Sequence, residues 1–333
     1  MWVKGRSSAD FWRFAASFLV VAIHISPFEK INGELDFFFT AIAGRTAVPL
    51  FLMISGYYVI DGALKNKKVL IDYTIKIFKQ YFFCVILYLP LNIYMEGIKI
   101  FEFSRIFLIL KDFFIDGTFY HLWYFPALIL GIWLSFLLIK GLGIGKALII
   151  VSLLYLIGLF GDSYYGVIEN NEVISGFYDW IFSVSDYTRN GLFYTPVFLC
   201  VGHFIKVGKE TCKYDLMYVF LLFLLMTGEG MLLHFFEIQR HTSMYLFLVP
   251  LMFFLFRVII GENARQNRVL RSMAGYIYIF HPMVIVAVRF AAKLIKAEGI
   301  LVENNLVLYI AVCAVSAGVA GIICGIRVKQ KRL

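Results

Sequence analysis

Apolar runs of about 20 residues recur along the whole chain, and that feature alone leaves few folds open. In hydrocarbon every backbone N–H and C=O needs a partner within the protein, and a helix supplies all of them from its own turns. Ten segments qualify as spans, near 9–27, 38–60, 72–95, 122–139, 147–161, 190–205, 215–235, 243–259, 273–290 and 305–326. The expected fold is all-α, a polytopic integral membrane protein with about ten transmembrane helices. Composition agrees, with 61% hydrophobic and 16% charged residues and a mean hydropathy of +0.81. A soluble domain carries about a quarter charged residues. The polar stretches are too short to bury a core of their own, so residues 1–333 read as a single transmembrane domain.

The first apolar run lacks a small-residue cleavage site and holds Arg13 and His24, so it reads as a retained span. Segment 100–115 is shorter and broken by charge, as expected of an interfacial amphipathic helix. Gly141-Leu-Gly-Ile-Gly-Lys146 lacks phosphate-loop spacing and reads as a short turn. Gly321-Ile-Ile-Cys-Gly325 has the small-residue spacing of close helix packing. The cysteines form no Cys-x-x-Cys pair, so no disulfide framework, zinc site or other metal site is implied. No internal repeat of the kind found in many transporters is evident.

A net charge of +9 would suit nucleic acid, but its distribution points to a membrane. With the N-terminus inside, eighteen Lys and Arg fall on inside segments, nine on outside loops and four within spans. An even number of spans then puts both termini in the cytoplasm of a bacterial plasma membrane. The lipid bilayer is the expected surrounding, and nucleic acid is not an expected partner.

The polar residues inside the spans carry the chemistry, because a charge in hydrocarbon is costly unless paired or wetted. Arg13 and His24 are eleven residues apart, which places them on one face and about 16 Å apart along the axis. Asp10 is positioned to pair with and orient Arg13. Lys76 and Lys79 share a face near the inner surface, and Arg45 lies near the outer end of the second span. The expected arrangement has a cationic inner layer of Arg13, Lys76 and Lys79 and an outer layer of His24 and Arg45. The inner layer suits phosphate groups. A neutral imidazole suits a general base, and Arg45 suits an oxyanion or a carboxylate. Glu229, between Gly228 and Gly230, is suited to countering Arg45 or holding a substrate amine. His281 before Pro282 is suited to orienting a partner or occupying the backbone that the proline frees. Together these residues suggest acyl transfer from a cytoplasmic acyl-CoA to an acceptor reached from outside.

Arg13-x10-His24 resembles the signature of the membrane acyltransferase-3 family, with Lys76-x-x-Lys79 where that family places a paired-arginine motif. Ser55-Gly-Tyr-Tyr, His121-Leu-Trp-Tyr-Phe-Pro and Tyr276-Ile-Tyr-Ile-Phe-His-Pro282 extend the resemblance over nearly the whole chain. Phe51-Leu-Met-Ile-Ser-Gly, Arg189-Asn-Gly-Leu-Phe and Arg240-His-Thr-Ser-Met-Tyr resemble the membrane half of the vancomycin-resistance serine racemases, without their racemase half. The first resemblance implies an enzyme with His24 and Arg45 as catalytic residues and Arg13, Lys76 and Lys79 as donor contacts. It implies no bound cofactor, acyl-CoA as co-substrate, and an envelope glycan or small amine as acceptor. The second implies L-serine transport, with Arg45 and Glu229 clamping the substrate. The charge bias makes a direct prediction: reporter fusions at Asn170 and at the C-terminus should report outside and inside respectively, and agreement between them would overturn the even count.

Overall fold

Each of the ten apolar segments carries helix in the computed structural model, which describes residues 9–96, 106–208, 212–261 and 266–330. The principal helices are α1 (Ala9–Ile25), α2 (Gly33–Lys65), α3 (Lys67–Glu96) and α4 (Ile106–Lys111). They continue with α5 (Tyr124–Phe160), α6 (Glu172–Val184), α7 (Thr195–Gly208) and α8 (Asp215–Phe235). Last come α9 (Leu248–Gly261), α10 (Arg268–Leu294) and α11 (Asn305–Gln330). No strand occurs among the described residues. Of the segment 100–115, expected to form an interfacial helix, the described residues are helical, as α4 and the wide turn Asp112–Asp116 that follows it. Its first residues lie outside the described ones, as do Lys4, Arg6, Lys99, Arg105, Lys209, Arg265, Lys331 and Arg332 of the charge count.

Six of the helices are long and apolar enough to cross a membrane by length and composition: α2, α3, α5, α8, α10 and α11. The expected ten therefore reduces to six on that criterion, because α1 has 17 residues and α7 and α9 have 14 each. α5 accounts for part of the difference. Its 37 residues would run about 55 Å if straight, nearly twice the hydrocarbon thickness. Gly143 breaks it at φ 79°, ψ 161°, a conformation that glycine adopts without a Cβ clash. Trp123, just before α5, and Tyr155, late in it, both pack on the Tyr194 ring, at 6.0 and 6.4 Å between centroids. The two arms therefore fold back on each other, and the glycine-rich stretch at 141–146 is the turn between them.

The described residues pack as two units. The first takes those up to Phe51, those ending at Met231 and those from Phe254 onward. Its core joins Val21 and Ile25 of α1 to Ile277, Val284 and Ile285 of α10 and to Leu308, Val312 and Ala320 of α11. Fully burying a side chain of this size stabilises by about 1.5–3 kcal/mol, so the cluster holds the three helices in register. Asn305 donates to the Ser26 carbonyl (2.9 Å), and the Tyr309 hydroxyl to that of Phe18 (3.3 Å), tying α11 to α1.

The second unit takes the described residues after Phe51 as far as Gly208, and Leu232–Phe253. Here α2 crosses α7 at two glycines. A Cβ on Gly56 would strike the Leu199 backbone, and one on Gly202 would strike that of Met53. α3 buries Leu70, Ile77, Tyr81, Cys84 and Tyr88, one stripe at helical spacing. The Trp133 indole donates to Thr74 Oγ1 (3.0 Å), and the Tyr73 hydroxyl to Ser55 Oγ (3.0 Å). Gly202→Leu should lower the stability of the detergent-purified protein by about 1–3 kcal/mol, the usual penalty of overpacking. Gly318→Leu, whose Cβ meets nothing within 4 Å, should leave the melting temperature near wild type in the same thermal-unfolding measurement.

Candidate active site

Two prolines and their neighbours shape the polar centre of the first unit. Pro49 has no N–H and crowds the carbonyl four residues earlier, which is that of Arg45. α2 is irregular just there. It widens to π spacing over Phe37–Ile42, tightens to 3-10 spacing over Ala43–Thr46, and returns to α over Ala47–Ser55. Such mid-helix irregularities re-aim side chains and are frequent at functional sites. The tightened turn brings Gly44 against α1, where an added Cβ would lie 3.0 Å from Ile23 Cγ1. Arg45 and His24 are the next residues on either side of that contact, and both are half-buried.

Pro282 likewise leaves the Tyr278 carbonyl without its helical donor. The His281 ring takes that place, with Nδ1 2.9 Å from the Tyr278 oxygen and 3.1 Å from that of Ile277. Two carbonyl acceptors require the proton on Nδ1, which makes Nε2 the acceptor nitrogen of a neutral ring. This fully buried ring stacks on His24, 5.3 Å between centroids and 22° between planes. The structure thus brings His24 and His281 together, while Arg45 follows the glycine that packs on Ile23.

Asp10, Arg13, Glu229, Lys76 and Lys79 complete the set of sequence candidates. Asp10 makes a tie that sequence reading did not anticipate. Its carboxylate is engaged by α10, accepting from Arg271 Nε (2.7 Å) and Nη2 (3.0 Å) and from the Asn267 amide (2.9 Å). The physical reason is the N-terminus of α10, where a carboxylate meets unsatisfied amides as well as a guanidinium fork. Arg13 sits half-buried three residues further along α1. Glu229 is buried on α8 at 8% exposure. Lys76 and Lys79 belong to the second unit, where both are exposed on the side of α3 away from its buried stripe.

The second unit also carries a polar cluster that sequence reading used only as a family mark. Arg189 lies over the rings of Trp123 (4.7 Å) and Tyr187 (4.8 Å), and Arg240 over Phe182 (3.6 Å). The legible signal was two arginines in loops otherwise aromatic and acidic. Asp112, Asp116 and Asp186 bring carboxylate oxygens within 4.8 Å of one another. The cation among them is Lys111, whose ammonium lies 3.3 Å from Asp116 and 2.5 Å from Asp186. Burial opposes its charge, but the two carboxylates outweigh that and raise its pKa.

Asp162, His241 and Ser243 resemble a hydrolase triad in composition but not in geometry. Both the Asp162 contact (3.2 Å) and the Ser243 contact (2.8 Å) fall on the same nitrogen, His241 Nδ1. A triad needs the serine on the opposite nitrogen, so that the ring can pass the proton on. Asp162 is instead a latch, fully buried and accepting from the Ser243 amide (2.7 Å) and the Met244 amide (2.9 Å). Burial alone would raise its pKa; the His241 charge, the His241 contact and those amides outweigh it and hold the carboxyl below its ordinary 3.8. A depressed carboxylate stabilises fully above its unfolded value and loses that contribution as pH falls through the folded one. Asp162→Ala should therefore cost about 3 kcal/mol in neutral unfolding experiments and flatten the stability loss seen below about pH 4, while Ser243→Ala should leave turnover unchanged.

Comparison with known proteins gives one family and several relatives. A family model described as an acyltransferase domain, of the acyltransferase-3 type, matches residues 6–325. An amino-acid racemase of Enterococcus faecalis is 38% identical over 320 residues, 95% of this chain and 45% of the relative. A serine/alanine racemase of Enterococcus gallinarum is 35% identical over 319 residues, 93% of this chain and 44% of the relative. The chain thus spans somewhat less than half the length of these relatives. No solved structure matches.

Proposed function

The chain belongs to the acyltransferase-3 family, and from that premise we propose a membrane acyltransferase moving an acyl group, most simply acetyl, from acyl-CoA to an envelope hydroxyl or amine. The observation that carries this reading is the stacking of His24 on His281. His24 takes the proton of the acceptor's hydroxyl or amine. The acceptor heteroatom attacks the thioester carbonyl, the C–S bond breaks, and CoA leaves as the thiolate that receives the proton. Arg45 stabilises the oxyanion formed in between. His281, its Nδ1 proton committed to the backbone, sets the plane and position of His24. Lys76 and Lys79 are the candidates for holding the phosphates of the donor, and Arg13 is the next residue to test for that role. The protein is read as one transmembrane domain crossing a bacterial plasma membrane about ten times, with both termini cytoplasmic.

A second reading, amino-acid transport with Arg45 and Glu229 as the clamp, draws on the relatives, one of which is named for serine and alanine. The two differ in what they ask of a cationic cluster, since acyl-CoA carries several phosphate charges and free serine none. His24→Ala should lower acyl transfer by about 10²–10⁴-fold, the usual contribution of a general base, with undiminished folded protein. Each charge-assisted phosphate contact is worth about 1.5–3 kcal/mol. Replacing Lys76 and Lys79 together by Gln should then weaken acetyl-CoA binding to purified protein by about two to four orders of magnitude. Wild-type protein that binds no acetyl-CoA, in cells whose labelled-serine uptake requires Arg45, would overturn the enzyme and leave the transporter.

A further inference from the structure

α6 presents three faces where a helix between protein and water needs two. It is a built helix, capped by Asn171, whose side chain accepts from the Val173 amide (3.2 Å) and the Ile174 amide (3.1 Å). Successive residues turn by about 100°, which sorts the helix into three arcs. Tyr178, Ile181 and Phe182 form the inner arc, packed with Ile168, Phe193 and Leu154. Glu172, Asp179 and Ser183 form a polar arc and are all exposed. Val173, Phe177, Trp180 and Val184 fall within about 60° of one another and form a third arc, apolar yet exposed by 85, 46, 66 and 43%.

Its place in the fold says what covers that arc. The Tyr178 hydroxyl donates to the Ile157 carbonyl (2.6 Å), which fastens α6 one turn from the end of α5. α5 is one of the helices apolar and long enough to cross a membrane. Its last turns expose Leu153, Leu156, Ile157 and Phe160, a face suited to lipid. α6 is therefore fastened near the end of such a helix, and its third arc carries the Phe and Trp rings suited to the boundary between headgroups and acyl chains. From these observations we infer that α6 lies in the membrane interface, with the Val173–Phe177–Trp180–Val184 stripe in lipid and the Glu172–Asp179–Ser183 arc in water. The partner is the bilayer itself rather than another protein.

The test uses the full chain in lipid nanodiscs, with exposed Cys212 changed to Ser. Phe177→Cys, Val184→Cys and Asp179→Cys each carry a spin label, and collisions with oxygen and with a water-soluble nickel chelate are compared. The ratio of oxygen to nickel accessibility should be severalfold higher at 177 and 184 than at 179. Equal ratios would overturn the inference, and so would a stripe shielded from both reagents, which would mean a covering protein. A second measurement guards against misfolded variants. Lipids brominated near the headgroup should quench wild-type fluorescence more than that of Trp180→Phe, and identical quenching in the two would place Trp180 outside lipid.

Discussion

A backbone carbonyl stripped of its donor in an apolar interior costs about 1–3 kcal/mol, and much of the first unit's polar centre is organised around that cost. Pro282 strips the Tyr278 carbonyl, and the His281 ring occupies it. That commitment fixes the tautomer of His281 and sets its ring against His24. Pro49 removes the donor to the Arg45 carbonyl, and the helix before it departs from α spacing, first wide and then tight. The tight turn is what brings Gly44 onto Ile23, next in sequence to Arg45 and His24. Backbone accommodation and the gathering of chemistry are the same event here.

The same physics governs the end of α10. Its first amides need acceptors, and Asp10 supplies one while engaging Arg271. A carboxylate on α1 thereby becomes a tie to α10, the helix that also brings His281 to His24. One helix pair is held toward its start by a charge and further along by stacked rings, with Val21 and Ile277 between and Ile25 and Ile285 just beyond. Positioning of His24 thus depends on the whole pair.

In the second unit, charge serves structure. Lys111 pairs with Asp116 and Asp186, two of three clustered carboxylates. Arg189 and Arg240 rest on aromatic faces, and Asp162 binds the 241–244 segment through its amides. The triad-like trio there shows why residue identity is a weaker guide than the nitrogen on which a contact falls.

Helical class, membrane character and the family were legible in sequence because run length, composition and the Arg13–His24 spacing are local. The register of Arg13 with His24 follows from helix geometry alone, and so does the turn at Gly141–Lys146. The count of crossings was less legible, since the structure meets some apolar runs with helices of 14 to 17 residues. Asp10 was read with Arg13 because i, i+3 pairing is the nearest option in sequence. The partner it has is 261 residues away. The pairing of His24 with His281 was equally beyond reach, because nothing local states which helices pack together. Sequence by itself determined which polar residues fall in apolar runs and on which helical face. Tertiary structure decided which of them meet, because meeting depends on packed cores and on backbone groups that the prolines leave to be satisfied.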